Sequence, residues 1–125
     1  MGEKSLPRFL FTNVPSLALR EVALILQVPA HLVNKRSLLM WYSDHLKFPD
    51  YFGWNWDALL DCLRDLSWIE VDEIAIVHRD IPLSGADQLA YLSILGDAAG
   101  SGARWLTVVF PEDCRSELCN LWDQS

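Results

Sequence analysis

The alternation of short apolar runs with amphipathic segments is the most informative pattern in this chain. Three runs rich in β-branched residues predict buried strands, at residues 21–29, 73–78 and 105–110. A shorter extended segment at residues 9–14 ends at Pro15. Its pattern leaves open whether it pairs with the sheet or lies over it.

Four further segments are predicted to be helical. They span residues 35–46, 56–66, 86–99 and 112–122. Asn34 and Asn55 stand directly before the first two, where an asparagine side chain accepts a hydrogen bond from the free backbone N–H groups. Pro49 and Gly53 mark a turn between these two helices.

This order of elements predicts an α/β fold with a small three-stranded parallel sheet packed with helices. Strands that alternate with helices form parallel crossovers, and a chain of 125 residues fits one domain. We expect a single domain over residues 1–125. Its core is expected at about residues 21–110, with an N-terminal arm at 1–20 and a C-terminal helical extension at 111–125.

The helix predicted at residues 56–66, which we call the acidic helix, has two contrasting faces. Advancing about 100° per residue places four side chains on the arc that should meet the core: Leu59, Cys62, Leu63 and Leu66. Three carboxylates follow one another at i, i+4 spacing on the opposite side: Asp57, Asp61 and Asp65. Trp56 and Leu60 lie at the border between the faces. Stacked carboxylates repel one another slightly, so they do not stabilise the isolated fold.

The net charge of −7 is concentrated around this helix. Between residues 44 and 73 there are eight acidic and two basic residues, so this segment carries −6, while the rest of the chain is nearly neutral. Such a balance argues against direct binding of nucleic acid, because phosphates would be repelled. It suits a basic protein partner, whose approach the negative field would accelerate.

An acidic stripe on an amphipathic helix is most often solvated surface, so the stripe alone does not identify a binding site. Its surroundings favour binding, because Trp54, Trp56 and Leu60 border the carboxylates. Large apolar side chains beside charges are typical of the energetically important centre of a protein interface.

The other reactive side chains form no catalytic or metal site that the sequence can identify. Three cysteines and three histidines show no metal-ligand spacing, so we expect no metal and no cofactor. Cys114 and Cys119 have no histidine nearby, which makes an enzyme the least favoured interpretation. We also expect no membrane segment and a cytoplasmic location, because no apolar run approaches ~20 residues and no signal-peptide pattern is present.

One continuous run, FPDYFGWNWDALLDCL from Phe48 to Leu63, resembles the central motif of the barstar family. Members of that family are intracellular inhibitors of barnase-like ribonucleases. The resemblance is strong over residues 48–66 and weaker over 21–110. It implies an immunity-type ribonuclease inhibitor, as in toxin–antitoxin pairs, whose turn and acidic helix block a basic active site. The helix carboxylates would then take the place of substrate phosphates.

The resemblance also implies which residues bind the partner. Asp57 and Asp61 match the two helix carboxylates, with Asp61 at the centre of the contact. Tyr51 matches an aromatic residue of the turn, and Asn55 matches the residue at the helix start. Asp97 corresponds to a further acidic contact near the end of the third helix.

Apolar contacts are expected from Trp54, Trp56 and Leu60. Leu60 stands where the archetype of the family has tryptophan, so one aromatic anchor is absent. Trp54 and Trp56 can compensate for it, and they indicate a differently shaped partner. An alternative therefore stays open, in which the same scaffold serves as an immunity or interaction protein for a non-ribonuclease toxin or a regulatory partner.

Overall fold

The sheet has four parallel strands in a computed structural model that describes residues 9–15, 24–101 and 105–124. The strands are β1 (Phe9–Phe11), β2 (Leu24–Val28), β3 (Glu73–His78) and β4 (Trp105–Phe110). They lie in the order β1-β4-β3-β2, and each neighbouring pair is parallel. The predicted α/β class and parallel sheet are confirmed. The predicted start of β2 at residue 21 and most of the N-terminal arm lie outside the described residues.

The predicted count of three strands is wrong, because β1 joins the sheet as an edge strand. Phe9 pairs with Val108 and Phe11 with Phe110, and the N–H of Thr12 donates to the carbonyl oxygen of Phe110 at 3.0 Å. The strand has only three residues, fewer than the alternation of apolar and polar positions needs to be recognised. Its partner lies near the other end of the chain, where local sequence gives no indication of the pairing.

The helices follow the predicted order. They are α1 (Lys35–Leu46), α2 (Trp56–Asp65), α3 (Gly85–Ser101) and α4 (Arg115–Gln124), with a 3₁₀ turn at Glu112–Cys114 before the last. The acidic helix is α2. It ends one residue earlier than predicted because Leu66 adopts a left-handed conformation at φ 46°, and its N–H donates to the carbonyl oxygen of Cys62.

Both predicted N-caps are confirmed by their hydrogen bonds. Asn34 Oδ1 accepts from the N–H of Ser37 at 2.9 Å, and Asn55 Oδ1 accepts from the N–H of Ala58 at 2.8 Å. Each bond satisfies a backbone donor that has no partner within its helix. The two caps fix where α1 and the acidic helix begin.

The main core lies between the helices and one face of the sheet. Alternate strand residues point into it, including Ile74 and Ile76 of β3 and Val108 of β4, which are fully buried. The intervening residues Ala75, Val77 and Val109 form a small separate cluster. Buried helix residues complete the main core: Leu38, Leu39, Tyr42, Leu46, Leu59, Leu63, Tyr91, Leu92, Leu95 and Leu118.

Candidate functional site

The acidic helix presents its carboxylates to solvent, as its sequence predicts. Asp57, Asp61 and Asp65 are exposed, whereas Leu59 and its neighbours on the opposite face are buried. In the part of the chain that the structure describes, neither Asp57 nor Asp61 forms an ion pair or a hydrogen bond. The fold therefore leaves their charge unneutralised, and a cationic partner can approach it.

Asn55 sets the position of the first carboxylate. Its side-chain oxygen caps Ala58, and its Nδ2 donates to the carbonyl oxygen of Gly53 at 3.3 Å, so one side chain joins the turn to the helix. Asp57 lies in the first turn, where the helix dipole favours negative charge. Asp61 follows one turn later on the same side.

The turn before the helix holds one aromatic ring inward and another outward. Phe52 is buried against Phe48, with ring centroids 4.8 Å apart, and its N–H donates to the carbonyl oxygen of Pro49 at 3.0 Å. Tyr51 is 76% exposed. The buried ring anchors the turn, so Tyr51 is displayed from a supported position.

Trp54 occupies a strained backbone position directly before the cap. Its φ is 56°, in the left-handed region that bulky side chains rarely adopt, at a cost on the order of 1 kcal/mol. Its ring packs on Phe52 with centroids 5.0 Å apart and stays 46% exposed. Lys47 and Leu66 also have positive φ, but both end a helix, whereas Trp54 ends none.

Trp56 lies at the junction of three helices. Its indole Nε1 donates to Asp87 of α3 at 3.4 Å, and its ring lies 6.1 Å from that of Tyr91. Lys35 of α1 places its Nζ 5.3 Å from the centroid of the Trp56 ring. Trp56 therefore packs within the fold, and any contact with a partner involves only its half-exposed remainder.

Leu60 and Asp97 lie at the edges of this surface. Leu60 is half-buried at the border of the acidic helix, where the helical wheel places it. Asp97 is exposed on α3, the helix that packs against the acidic helix. It lies about 15 Å along α3 from Asp87, because a helix rises about 1.5 Å per residue. Asp97 is therefore not part of the contacts around Trp56.

Lys35, Arg36 and Asp87 surround the predicted site but were not identified by sequence reasoning. Trp56 and Asp87 are 31 residues apart in the chain, so no local pattern connects them. Lys35 and Arg36 resemble ordinary polar residues at the start of α1. Their position depends on how the helices pack, which spacing along the chain does not encode.

A buried hydrogen-bonded chain lies behind Trp56. The Nδ1 of His78 lies 3.0 Å from the carbonyl oxygen of Val109, which can only accept, so Nδ1 carries the proton. The Nε2 then accepts from the hydroxyl of Tyr91 at 2.7 Å, and Tyr91 accepts from Tyr42 at 2.6 Å. Burial lowers the pKa of His78 to about 4 and raises the pKa of both tyrosines. All three side chains of this hydrogen-bonded chain are therefore uncharged at physiological pH.

The thiols of Cys62 and Cys114 are poor nucleophiles. Burial raises the pKa of Cys62, and the carboxylates of Asp61 and Asp65 raise it further. Burial also raises the pKa of Cys114, so both thiols stay protonated near neutral pH. Within residues 9–15, 24–101 and 105–124, no three potential metal ligands are grouped to hold an ion. No helix in those ranges combines the length and hydropathy required to cross a membrane.

Most of the chain matches the model of a known protein family. The model of a family described as Barstar (barnase inhibitor) matches residues 25–109, which is more than half of the chain. The matched region extends from β2 to β4 and includes the turn and the acidic helix, but it excludes β1 and α4. Neither the curated proteins nor the solved structures include a significant match.

Proposed function

The chain belongs to the barstar family, and from this premise we propose that it inhibits a barnase-like ribonuclease by inserting its acidic helix into the basic active site. The family is one of barnase inhibitors, so the role is binding rather than catalysis. A ribonuclease that cleaves RNA needs cationic groups around the scissile phosphate. Carboxylates spaced along a helix can take the place of the negatively charged phosphates that these cationic groups bind.

The observation that carries this proposal is the unneutralised pair Asp57 and Asp61. Both side chains are exposed, and neither has a partner within the described part of the chain. They stand on a helix whose start is fixed by Asn55 and whose opposite face is anchored in the core by Leu59 and Leu63. A rigid helix loses little conformational entropy when it binds, so the charge is presented at low cost.

The proposed contact has a charged centre and an apolar border. Asp61 forms the centre and Asp57 lies one turn closer to the cap. Packing around them comes from Tyr51, Trp54, Leu60 and the exposed part of Trp56. Asp97 adds a carboxylate further along α3. Exclusion of water by the apolar border would strengthen the central ion pairs, because charges interact more strongly in a low dielectric.

We place this inhibition in the cytoplasm, as an immunity function that protects the cell from its own toxic ribonuclease. The partner is then a basic protein, and RNA itself is not bound. A partner that is not a ribonuclease would bind the same acidic helix and apolar border, but ribonuclease activity would then be unaffected. An inhibition assay therefore distinguishes a ribonuclease partner from a different one.

The test is titration of the protein into a purified barnase-like ribonuclease, with cleavage of a fluorogenic RNA as the readout. The wild type should abolish activity at a one-to-one ratio. Asp61→Asn keeps the side-chain shape without the charge and should weaken inhibition by at least about tenfold, because hydrogen bonds to charged groups contribute more than about 1.4 kcal/mol. Asp113→Asn, an exposed carboxylate outside the matched region, is the control.

Asp61→Ala should behave like Asp61→Asn and keep the wild-type unfolding midpoint. Equal inhibition by wild type and both Asp61 variants would contradict the insertion of the acidic helix. Absence of any inhibition by the wild type would contradict the ribonuclease as partner.

A further inference from the structure

A narrow groove lies beside the start of the acidic helix, between α1 and the turn. It is lined by Lys35, Arg36, Leu39 and Trp54 and has a volume of about 180 Å³. Leu39 is buried and forms an apolar floor, and the half-exposed ring of Trp54 forms one wall. Small-molecule sites usually begin at about 300 Å³, so the groove has the size for a side chain rather than a cofactor.

The groove is positively charged, in contrast to the helix beside it. Lys35 and Arg36 are the first two residues of α1, which has no acidic residue in its first turn. Neither is paired with a carboxylate within the described part of the chain. Two cations near the positive end of a helix dipole are not stabilised by that helix. Their charge is therefore available to an anionic group from outside.

The wall of the groove is held in place by the turn. Trp54 packs against the buried Phe52, and its strained backbone conformation directs the ring beside Lys35 and Arg36. On the other side, Lys35 lies over Trp56, two residues after Trp54. The groove and the acidic helix are thus joined through Trp54, Asn55 and Trp56.

We propose that this groove receives an acidic side chain, together with an adjacent apolar one, from the rim of the same ribonuclease whose active site the acidic helix enters. The inference rests on the proposed function. The surface that is proposed to bind the ribonuclease then carries charge of both signs. The acidic helix is negative and meets the basic active site, and the groove is positive and meets an acidic position at the rim of that site. Alternating charge fixes the relative orientation of two proteins and rejects enzymes that lack the acidic position.

Charge reversal distinguishes this role from general electrostatics by the sign of its effect. Lys35→Glu and Arg36→Glu each make the inhibitor more negative, which on net charge alone would strengthen binding to a basic enzyme. Occupation of the groove by a carboxylate instead predicts weaker binding, by at least about tenfold for Arg36→Glu because a charge-assisted contact becomes a repulsion. Arg79→Glu, an exposed residue after β3 and outside the groove, changes the net charge equally and is the matched control.

The experiment measures the affinity of wild type, Lys35→Glu, Arg36→Glu and Arg79→Glu for a barnase-like ribonuclease, with unfolding midpoints as a check on folding. Trp54→Gly removes the groove wall at a φ that glycine adopts freely, and it should also weaken binding. Weaker binding by the groove variants, with little change for Arg79→Glu, is the expected result.

Equal or tighter binding by Lys35→Glu and Arg36→Glu, while Asp61→Asn still binds weakly, would overturn the groove proposal and leave the proposed function intact. A wild type that binds no barnase-like ribonuclease would overturn both. A double-mutant cycle with each acidic residue at the rim of the enzyme's active site would identify the group that enters the groove.

Discussion

The imidazole Nε2 of His78 lies 2.7 Å from the hydroxyl oxygen of Tyr91, and both side chains are buried. The other imidazole nitrogen donates to the carbonyl of Val109, and burial lowers the pKa of His78, so the neutral imidazole accepts the hydroxyl hydrogen of Tyr91 at Nε2. A protonated His78 would place a positive charge in the core, where its hydrogen-bond partners are a hydroxyl and a backbone carbonyl. This relationship supports the ring of Tyr91, on which Trp56 packs.

The protein should therefore lose stability as the pH falls from about 6.5 to about 4. The pKa of His78 is lowered from 6.5 to about 4 in the fold, so in this range the unfolded chain binds a proton that the folded chain does not. The loss from this group approaches about 3 kcal/mol at the acidic end. Urea unfolding at several pH values would measure it. His78→Gln should be less stable at neutral pH but should show a smaller further loss on acidification, and parallel pH profiles would contradict the assignment.

Removal of either N-cap should lower the free energy of unfolding by about 1 kcal/mol. Asn34→Ala and Asn55→Ala form a matched pair, since each asparagine accepts one backbone hydrogen bond three residues later. Urea unfolding compares them directly. Asn55→Ala should in addition slow association with the ribonuclease, because the first turn that carries Asp57 frays. Asn55→Ser should restore both properties, and failure to restore stability would show that the cap is not the cause.

Neighbouring leucines on the acidic helix should separate folding from binding. Leu59 is fully buried, so Leu59→Ala should lower the free energy of unfolding by about 2–5 kcal/mol. Leu60 is half-buried at the border of the carboxylate stripe. Leu60→Ala should therefore lower the free energy of unfolding less than Leu59→Ala does, but it should weaken binding to the ribonuclease more. Chemical unfolding and inhibition titrations on both variants test the contrast. The same ranking of the two variants in both measurements would contradict the placement of Leu60 in the interface.

Association with the ribonuclease should become slower as salt is added. Exposed charges are screened over about 10 Å at 0.1 M salt and about 3 Å at 1 M, so the attraction of Asp57 and Asp61 for a basic partner declines. Stopped-flow association rates across this range would measure the dependence. The double variant Asp57→Asn/Asp61→Asn should show a flatter dependence than Asp113→Asn. An unchanged slope would assign the steering to carboxylates outside the acidic helix.

Much of the fold could be predicted because its determinants are local. The acidic helix has a regular apolar face, so the burial of Leu59, Cys62 and Leu63 follows from spacing alone. Asn55 marks the start of that helix by its chemistry. The exposure of Asp57 and Asp61 is confirmed, while their contact with a ribonuclease stays a prediction.

The remaining features depend on packing between distant segments. The pairing of β1 with β4 and the hydrogen bond from Trp56 to Asp87 join residues far apart in the chain. The groove arises because Lys35 and Arg36 of one helix meet Trp54 of a later turn. None of these contacts alters the local pattern of apolar and polar residues, so the sequence does not reveal them.

The pairing of β1 with β4 determines how long the outer edge of β4 stays open during synthesis. The ribosome releases β1 long before β4, so among the described strands β1 has no partner until β4 has been synthesised. Once β4 pairs with β3, its free edge could recruit another nascent chain. β1 is by then already tethered nearby and can cover that edge immediately. β1 therefore protects the free edge of β4 as soon as that edge forms.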